Sequence, residues 1–222
     1  TVNKNHNIRA SVQTGFRNPT TQDLFIGLDA GRAILVGSAP NNLDRYIRTF
    51  EVSDGTTVTQ TGRVAYENSF TKSSVDLFEE SLVPNGEDLK VANSNIIKPE
   101  QVTSAEVGYR GKFNKLIVDF SAYYNKYKDF ISQEVVISPF YGTVGDNSLS
   151  VAAIVNDDFQ AWSTYTNSPA DVNSYGASIG LSTKVFKNFD LSGSYTYAKL
   201  DFDRNKFPDF TTNFNTPEHK FK

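Results

Sequence analysis

The feature that most constrains this chain is a two-residue alternation of apolar and polar side chains, sustained over unusually long stretches. Ile8, Ala10, Val12 and Phe16 fall on one side of an extended backbone, with Arg9, Ser11, Gln13 and Arg17 on the other. The pattern returns where Thr103, Ala105, Val107 and Tyr109 oppose Ser104, Glu106 and Arg110. After a turn at 111–115 it resumes, with Leu116, Val118, Phe120, Ala122 and Tyr124 opposite Asp119, Ser121, Tyr123 and Asn125. A second pair of stretches, 175–185 and 189–200, is joined by a short turn at 186–189. These segments predict two antiparallel hairpins with strands of about ten residues or more, against about five or six in typical soluble sheets.

The other connections are long. Pro19 ends the first strand, because it cannot donate to a sheet ladder and holds Asn18 extended. Residues 18–98 and 138–171 are rich in Gly, Pro, Asn, Asp and Ser and alternate little. Within the first, 72–82 predicts a short helix with Val75, Leu77, Phe78 and Leu82 on one face. Tracing the strands up and down puts every short turn at one end and every long loop at the other. Aromatics near strand ends (Phe16, Tyr109, Tyr123, Tyr124, Tyr127, Phe130, Phe186, Phe189) resemble interfacial girdles. The layout predicts an all-β fold, an antiparallel transmembrane β-barrel segment with 18–98 and 138–171 as its long extracellular loops. A soluble extracellular β-sandwich for adhesion or carbohydrate binding alternates in the same way and stays open. A barrel wall exposes Val107, Tyr109, Val118, Phe120, Ile179, Leu181, Leu191 and Tyr195 to lipid; a sandwich buries them beneath a second sheet.

Composition excludes several functions. The chain has 222 residues and a net charge of −3, with no basic stripe to neutralise phosphates, so nucleic acid is not expected as a partner. No apolar run reaches the roughly 18–20 residues of a membrane helix, a test to which a β-barrel is blind. Cysteine is absent, which removes disulfides and thiolate chemistry. Methionine is absent too, even at position 1, so the chain reads as a mature or excised segment. His6 and His219 stand in no metal-ligand spacing. Asp201-Phe-Asp-Arg-Asn205 begins like a calcium loop, but Lys206 replaces the glycine and Thr212 the bidentate acid. The paired acids Glu79-Glu80 and Asp157-Asp158 lie in loop-like sequence and read as solvated charges. No phosphate loop, nucleophile elbow or histidine triad is evident, so a non-enzyme without metal or cofactor is expected. Phe140, Tyr141, Trp162 and Tyr165, together with Phe159, fall in one long loop. They are candidates for stacking on a ligand, with packing of the loop onto itself as the competing role.

Five quoted segments carry a family resemblance: 9-RASVQTGFRNPTTQDLF-25, 98-KPEQVTSAEVGYRGKF-113, 119-DFSAYYNKYKDFI-131, 174-SYGASIGLSTKVFKNFDLSGSYTYAKL-200 and 216-TPEHKFK-222. In order and spacing they resemble the barrel strands of TonB-dependent outer-membrane receptors, most closely those of the Bacteroidetes type. The resemblance implies the C-terminal portion of a barrel, about five or six strands of a roughly 22-stranded wall. Nothing in the chain resembles that family's plug domain or energy-coupling box. It further implies a bacterial outer-membrane location and import of a bulky nutrient of the glycan, siderophore or cobalamin class. The implied partners are outer-membrane lipid, the receptor's own plug, the TonB complex acting through that plug, and a surface lipoprotein. Gly15-Phe16-Arg17-Asn18-Pro19 would then form the outer rim, with Arg17 facing the lumen. There its alternatives are an ion pair with a carboxylate of wall or plug, or contact with substrate.

Overall fold

In the computed structural model, residues 3–146, 148–186, 189–211 and 217–222 are described. The first strands are β1 (His6–Arg17), β2 (Gly27–Asp29), β3 (Ile34–Val36), β4 (Ile47–Glu51), β5 (Thr57–Thr61) and β6 (Phe70–Thr71). After them come β7 (Glu100–Phe113), β8 (Leu116–Lys128), β9 (Ile131–Pro139) and β10 (Phe159–Asn167). The last are β11 (Val172–Phe186), β12 (Phe189–Asp201), β13 (Phe210–Thr211) and β14 (His219–Phe221). The helices are α1 (Thr21–Phe25), α2 (Pro40–Arg45), α3 (Val64–Glu67), α4 (Lys72–Glu80) and α5 (Leu149–Val155).

Six strands form one antiparallel wall in the order β1-β7-β8-β11-β12-β14, which does not close on itself. Its register aligns like with like. Ile8, Tyr109, Phe120, Ile179, Tyr195 and Phe221 make one continuous row across all the strands. One step along, Arg9, Gly108, Ser121, Ser178, Thr196 and Lys220 make a row on the opposite face. A single register therefore separates an apolar face from a polar one, as period-2 patterning demands. Ion pairs Arg9–Glu106, Arg110–Asp119 and Arg17–Glu100 all lie on the polar face.

The apolar face settles the sandwich alternative. Val107, Phe120, Ile179, Leu181 and Leu191 are exposed, and Val118, Tyr109 and Tyr195 are only half-buried. No second sheet covers them among the described residues. The β7–β8 hairpin is tighter than the expected 111–115 turn: Asn114 and Lys115 alone join the strands, with Asn114 at a positive φ of 55°. Asn tolerates that region better than most residues. Of the second turn, Lys187 and Asn188 lie outside the described residues.

The girdle expectation needs one correction. Tyr123 pairs with Gly176 and Glu106, and Tyr127 with Val172 and Val102, so both face the polar side. Neighbouring positions on a strand point to opposite faces, and only Tyr124 of the Tyr123–Tyr124 pair joins the apolar side. Tyr123 has a packing role there. A Cβ on Gly176 would meet the Tyr123 ring at 2.8 Å and the Tyr197 carbonyl oxygen at 2.4 Å.

The long connections are not irregular. Segments 18–98 and 138–171, with their flank 131–137 and residues 210–211, build a second sheet in the order β13-β9-β10-β3-β2, with β6 also pairing β9. This cap stands at the end of the wall away from the tight turns. The chain passes from wall to cap at Asp129, whose φ of 54° bends it out of β8 and into β9. Both faces of the cap sheet are covered. Trp162 and its cross-strand partner Val136 pack with Ile34, Val36, Leu43 and Ala65. On the other face, Ile137 packs with Phe70, Val75, Phe78, Leu89 and Ile154, which brings in α4 and α5. Helix α4 starts where the sequence places it, with the Thr71 hydroxyl accepting from Ser74 N–H as its cap.

Candidate functional site

The rim, where wall meets cap, gathers the polar groups most able to act. Arg17 ends β1 and donates to Glu100 Oε2 at 3.1 Å; Glu100 begins β7 directly opposite. The same oxygen accepts from the backbone N–H of Ile131 at 2.9 Å, so one buried carboxylate joins β1, β7 and the first residue of the cap sheet. Charge-assisted bonds of this kind are among the stronger ones in proteins. Asn167 closes the rim further: its side chain accepts from Lys98 N–H at 2.7 Å and donates to the carbonyls of Lys98 and Asp129.

Above the rim, three segments of the chain are tied together. Asp158 accepts from both the N–H and the hydroxyl of Ser53, at 2.7 and 2.8 Å. Asp209 receives the same pair of bonds from Ser73. Tyr66 donates its hydroxyl to the Tyr165 carbonyl at 3.0 Å and accepts from the Tyr165 N–H at 3.1 Å. Burial pushes the Tyr66 hydroxyl pKa up, so it stays a neutral donor. Within the cap core, Glu134 is 4% exposed and receives the Ser94 hydroxyl at 2.6 Å. Its burial raises the carboxyl pKa; the Ser94 bond opposes the rise and nearby Asp209 adds to it.

Asp158 departs from the solvated role expected of it. It is 3% exposed, and its desolvation is outweighed by the bonds from Ser53 and from Tyr141 Oη, which hold its carboxyl below the usual value. A loop acid is drawn inside when a neighbouring loop brings two donors to it, which a linear sequence does not display. Asp209 and Glu100 went unnoticed for the same reason. Glu100 alone had a local signal, its place in the Lys98-Pro-Glu lead-in to a strand.

The four loop aromatics separate into two pairs. Trp162 is fully buried at 0% exposure, edge-on to Tyr46, and Tyr165 is buried beside Ile97 and Ile131. Trp162 is closed off by its packing, whereas Tyr165 borders a small cavity under the cap. Phe140 stacks on Phe50 at 4.9 Å, and Tyr141 bonds Asp158 and Asn156, with both rings half-buried. The histidines lie at the two edges of the wall. His6 Nδ1 is 2.7 Å from Tyr109 Oη, and His219 Nδ1 is 2.8 Å from Tyr195 Oη. Among the described residues no group of three or more His, Cys, Asp or Glu is placed to hold a metal ion. Thr212, the last position of the calcium-like stretch, lies outside the described residues.

Between Arg17, Glu100 and Tyr127 of the wall's polar face and Asp23, Phe130, Gln133 and Tyr165 lies a cavity of about 190 Å³. The wall and its ordered cap match a family model. The family described as TonB dependent receptor-like, beta-barrel, matches residues 1–222. This chain belongs to the TonB-dependent receptor family. Members of the family are bacterial outer-membrane transporters, not enzymes. Among solved structures, "Copper transporter OprC" is similar at 15% identity and a TM-score of 0.44. The alignment covers 94% of this chain and 20% of that one, so this chain spans about a fifth of the transporter's length. No curated protein matches the sequence.

Proposed function

We propose that this chain supplies wall strands and an extracellular ligand-capturing cap to a TonB-dependent receptor for a bulky nutrient of the glycan, siderophore or cobalamin class. The observation that carries the reading is the Arg17–Glu100–Ile131 junction, which fixes an ordered cap over one end of a wall with one polar face. A cap held this way presents a preformed surface above the lumen, and preformed surfaces bind with less loss of conformational freedom. In the intact receptor the polar face would meet the plug, the plug would engage the TonB complex, and the apolar face would meet outer-membrane lipid. A surface lipoprotein is the partner proposed for the outside of the cap. Phe140 and Tyr141, the two candidate aromatics with partly open rings, are the proposed cap contacts.

The test is growth of the source bacterium on single nutrients with the receptor gene deleted, restored, or restored without TonB function. The reading expects at least one nutrient whose use requires both the receptor and TonB. Growth indifferent to the deletion across glycans, iron chelates and cobalamins would refute it.

A further inference from the structure

We propose that the cavity beneath the cap is a subsite for a neutral, hydroxyl-rich ring, the size and chemistry of one sugar residue. The inference rests on the uptake reading above and adds the class of ligand. At about 190 Å³ the cavity has room for a single such ring. Its walls have the two faces that a sugar needs. Tyr127 and Phe130 meet edge to face at 5.3 Å with planes 82° apart, offering aromatic surface to the C–H side of a ring. Arg17, Asp23, Glu100 and Gln133 line the same cavity with planar groups, each able to span adjacent hydroxyls.

The valences of these groups are not used up. Gln133 makes no side-chain hydrogen bond among the described residues. Asp23 gives only Oδ2 to the Thr20 N–H, at 2.8 Å, and its Oδ1 has no partner among them. Glu100 gives Oε2 to both Arg17 and Ile131 and leaves Oε1 over. Charge selects among ligands. Two carboxylates face one guanidinium, and Arg17 is already engaged with Glu100, so a phosphate, carboxylate or catecholate would meet surplus negative charge. A neutral polyol meets no such penalty and pairs with donors and acceptors alike.

The experiment uses the intact receptor in lipid nanodiscs. Saturation-transfer NMR and calorimetry would be run with methyl α-glucoside, methyl α-mannoside, methyl β-galactoside and maltotriose, with citrate and phosphate as the anionic probes. We expect at least one neutral sugar to bind and both anions to fail. Gln133→Ala and Phe130→Ala should each weaken that sugar by about tenfold, as loss of one good contact does. Exchange protection across 131–139 would confirm that each variant keeps its cap. No sugar bound, an anion preferred, or unchanged affinity in both folded variants would overturn the proposal. A receptor that fails this test yet still imports another nutrient through TonB would refute the subsite and leave the uptake reading standing.

Discussion

Ser73 donates both its backbone N–H and its hydroxyl to Asp209, at 2.7 and 2.6 Å, across 136 positions of chain. Ser73 lies in the first turn of helix α4 in the first long segment, and Asp209 precedes β13 in the last. With the matching Ser53–Asp158 pair, this bond set makes the cap one body built from three separate lengths of chain.

Removing one clamp should loosen what it ties without unfolding the wall. Asp209→Ala takes a charged acceptor from two donors, a loss of about 1.5–3 kcal/mol for bonds to an ionised group, nearer the lower figure here because Asp209 is half-buried. Amide exchange in the intact receptor should accelerate across 72–80 and 210–211 and stay unchanged in β7 and β8. Acceleration spread evenly over the wall would mean that the clamp is not local.

Acidity should act on the cap in two opposite ways. Glu134 has its pKa raised by burial, so its charged form costs stability above that raised value, and the cost is relieved as pH falls through it toward 4.5. Asp158 has its pKa lowered below 3.8 by its hydrogen bonds, with desolvation outweighed, so its contribution is present above 3.8 and lost as pH falls through the lowered value. Cap stability should therefore peak between pH 3.8 and 4.5. Exchange rates in 131–139 and 159–167, corrected for intrinsic pH dependence, would report it. Glu134→Gln should flatten the limb above 4.5, and Asp158→Asn the limb below 3.8.

Charge placed on the two faces of the wall should have unequal effects. Val118→Arg or Leu191→Arg puts a guanidinium against lipid; both positions stand near the tight-turn end of their strands, so the cost should fall below the about 2–4 kcal/mol of the bilayer midplane. Asp119→Asn loses only a long contact to Arg110, at 3.8 Å, and Ser192→Asn stays on the polar face. Heat-modifiable mobility of the folded receptor would give assembly yields, expected to fall for the first pair alone.

Two glycines of the same strand should respond differently to a side chain. Gly176→Val drives a Cβ into the Tyr197 carbonyl and the Tyr123 ring, whereas a Cβ on Gly180 meets nothing closer than 3.9 Å. Gly176→Val should abolish or sharply reduce assembly, while Gly180→Ala should leave it near normal. Overpacking at such a contact typically costs about 1–3 kcal/mol. Recovery of Gly176→Val by Tyr123→Ala would identify the ring as the obstacle.

The wall was legible because each of its strands is apolar on one side only. Ile8 to Phe16 and Leu116 to Tyr124 announce their orientation residue by residue, and the register that joins them follows from that polarity. The cap was not, because β9 and β10 are covered on both sides. Ile131, Val135, Val136 and Ile137 crowd together without a period, as in any strand buried on two faces. Arg17 could be assigned to the polar side by parity alone. Its partner lies 83 positions away, and nothing near Asp158 or Asp209 marks either acid as different from the exposed ones around it.

Strand β3 lies between β2 and β10, and its pairing with β10 is parallel, matching Ile34, Leu35 and Val36 to Trp162, Ser163 and Thr164. Parallel neighbours cannot be joined by a tight turn, so this contact has to wait for a distant part of the polypeptide. Until residues 162–164 arrive, one edge of β3 offers bare amide and carbonyl groups, and the apolar side chains of Ile34 and Val36 have no Trp162 to rest on. The first long segment thus cannot mature on its own schedule: its completion is set by the last of its partners to emerge, which makes the cap a late checkpoint on whether the neighbouring strands have been laid down in the right sequence.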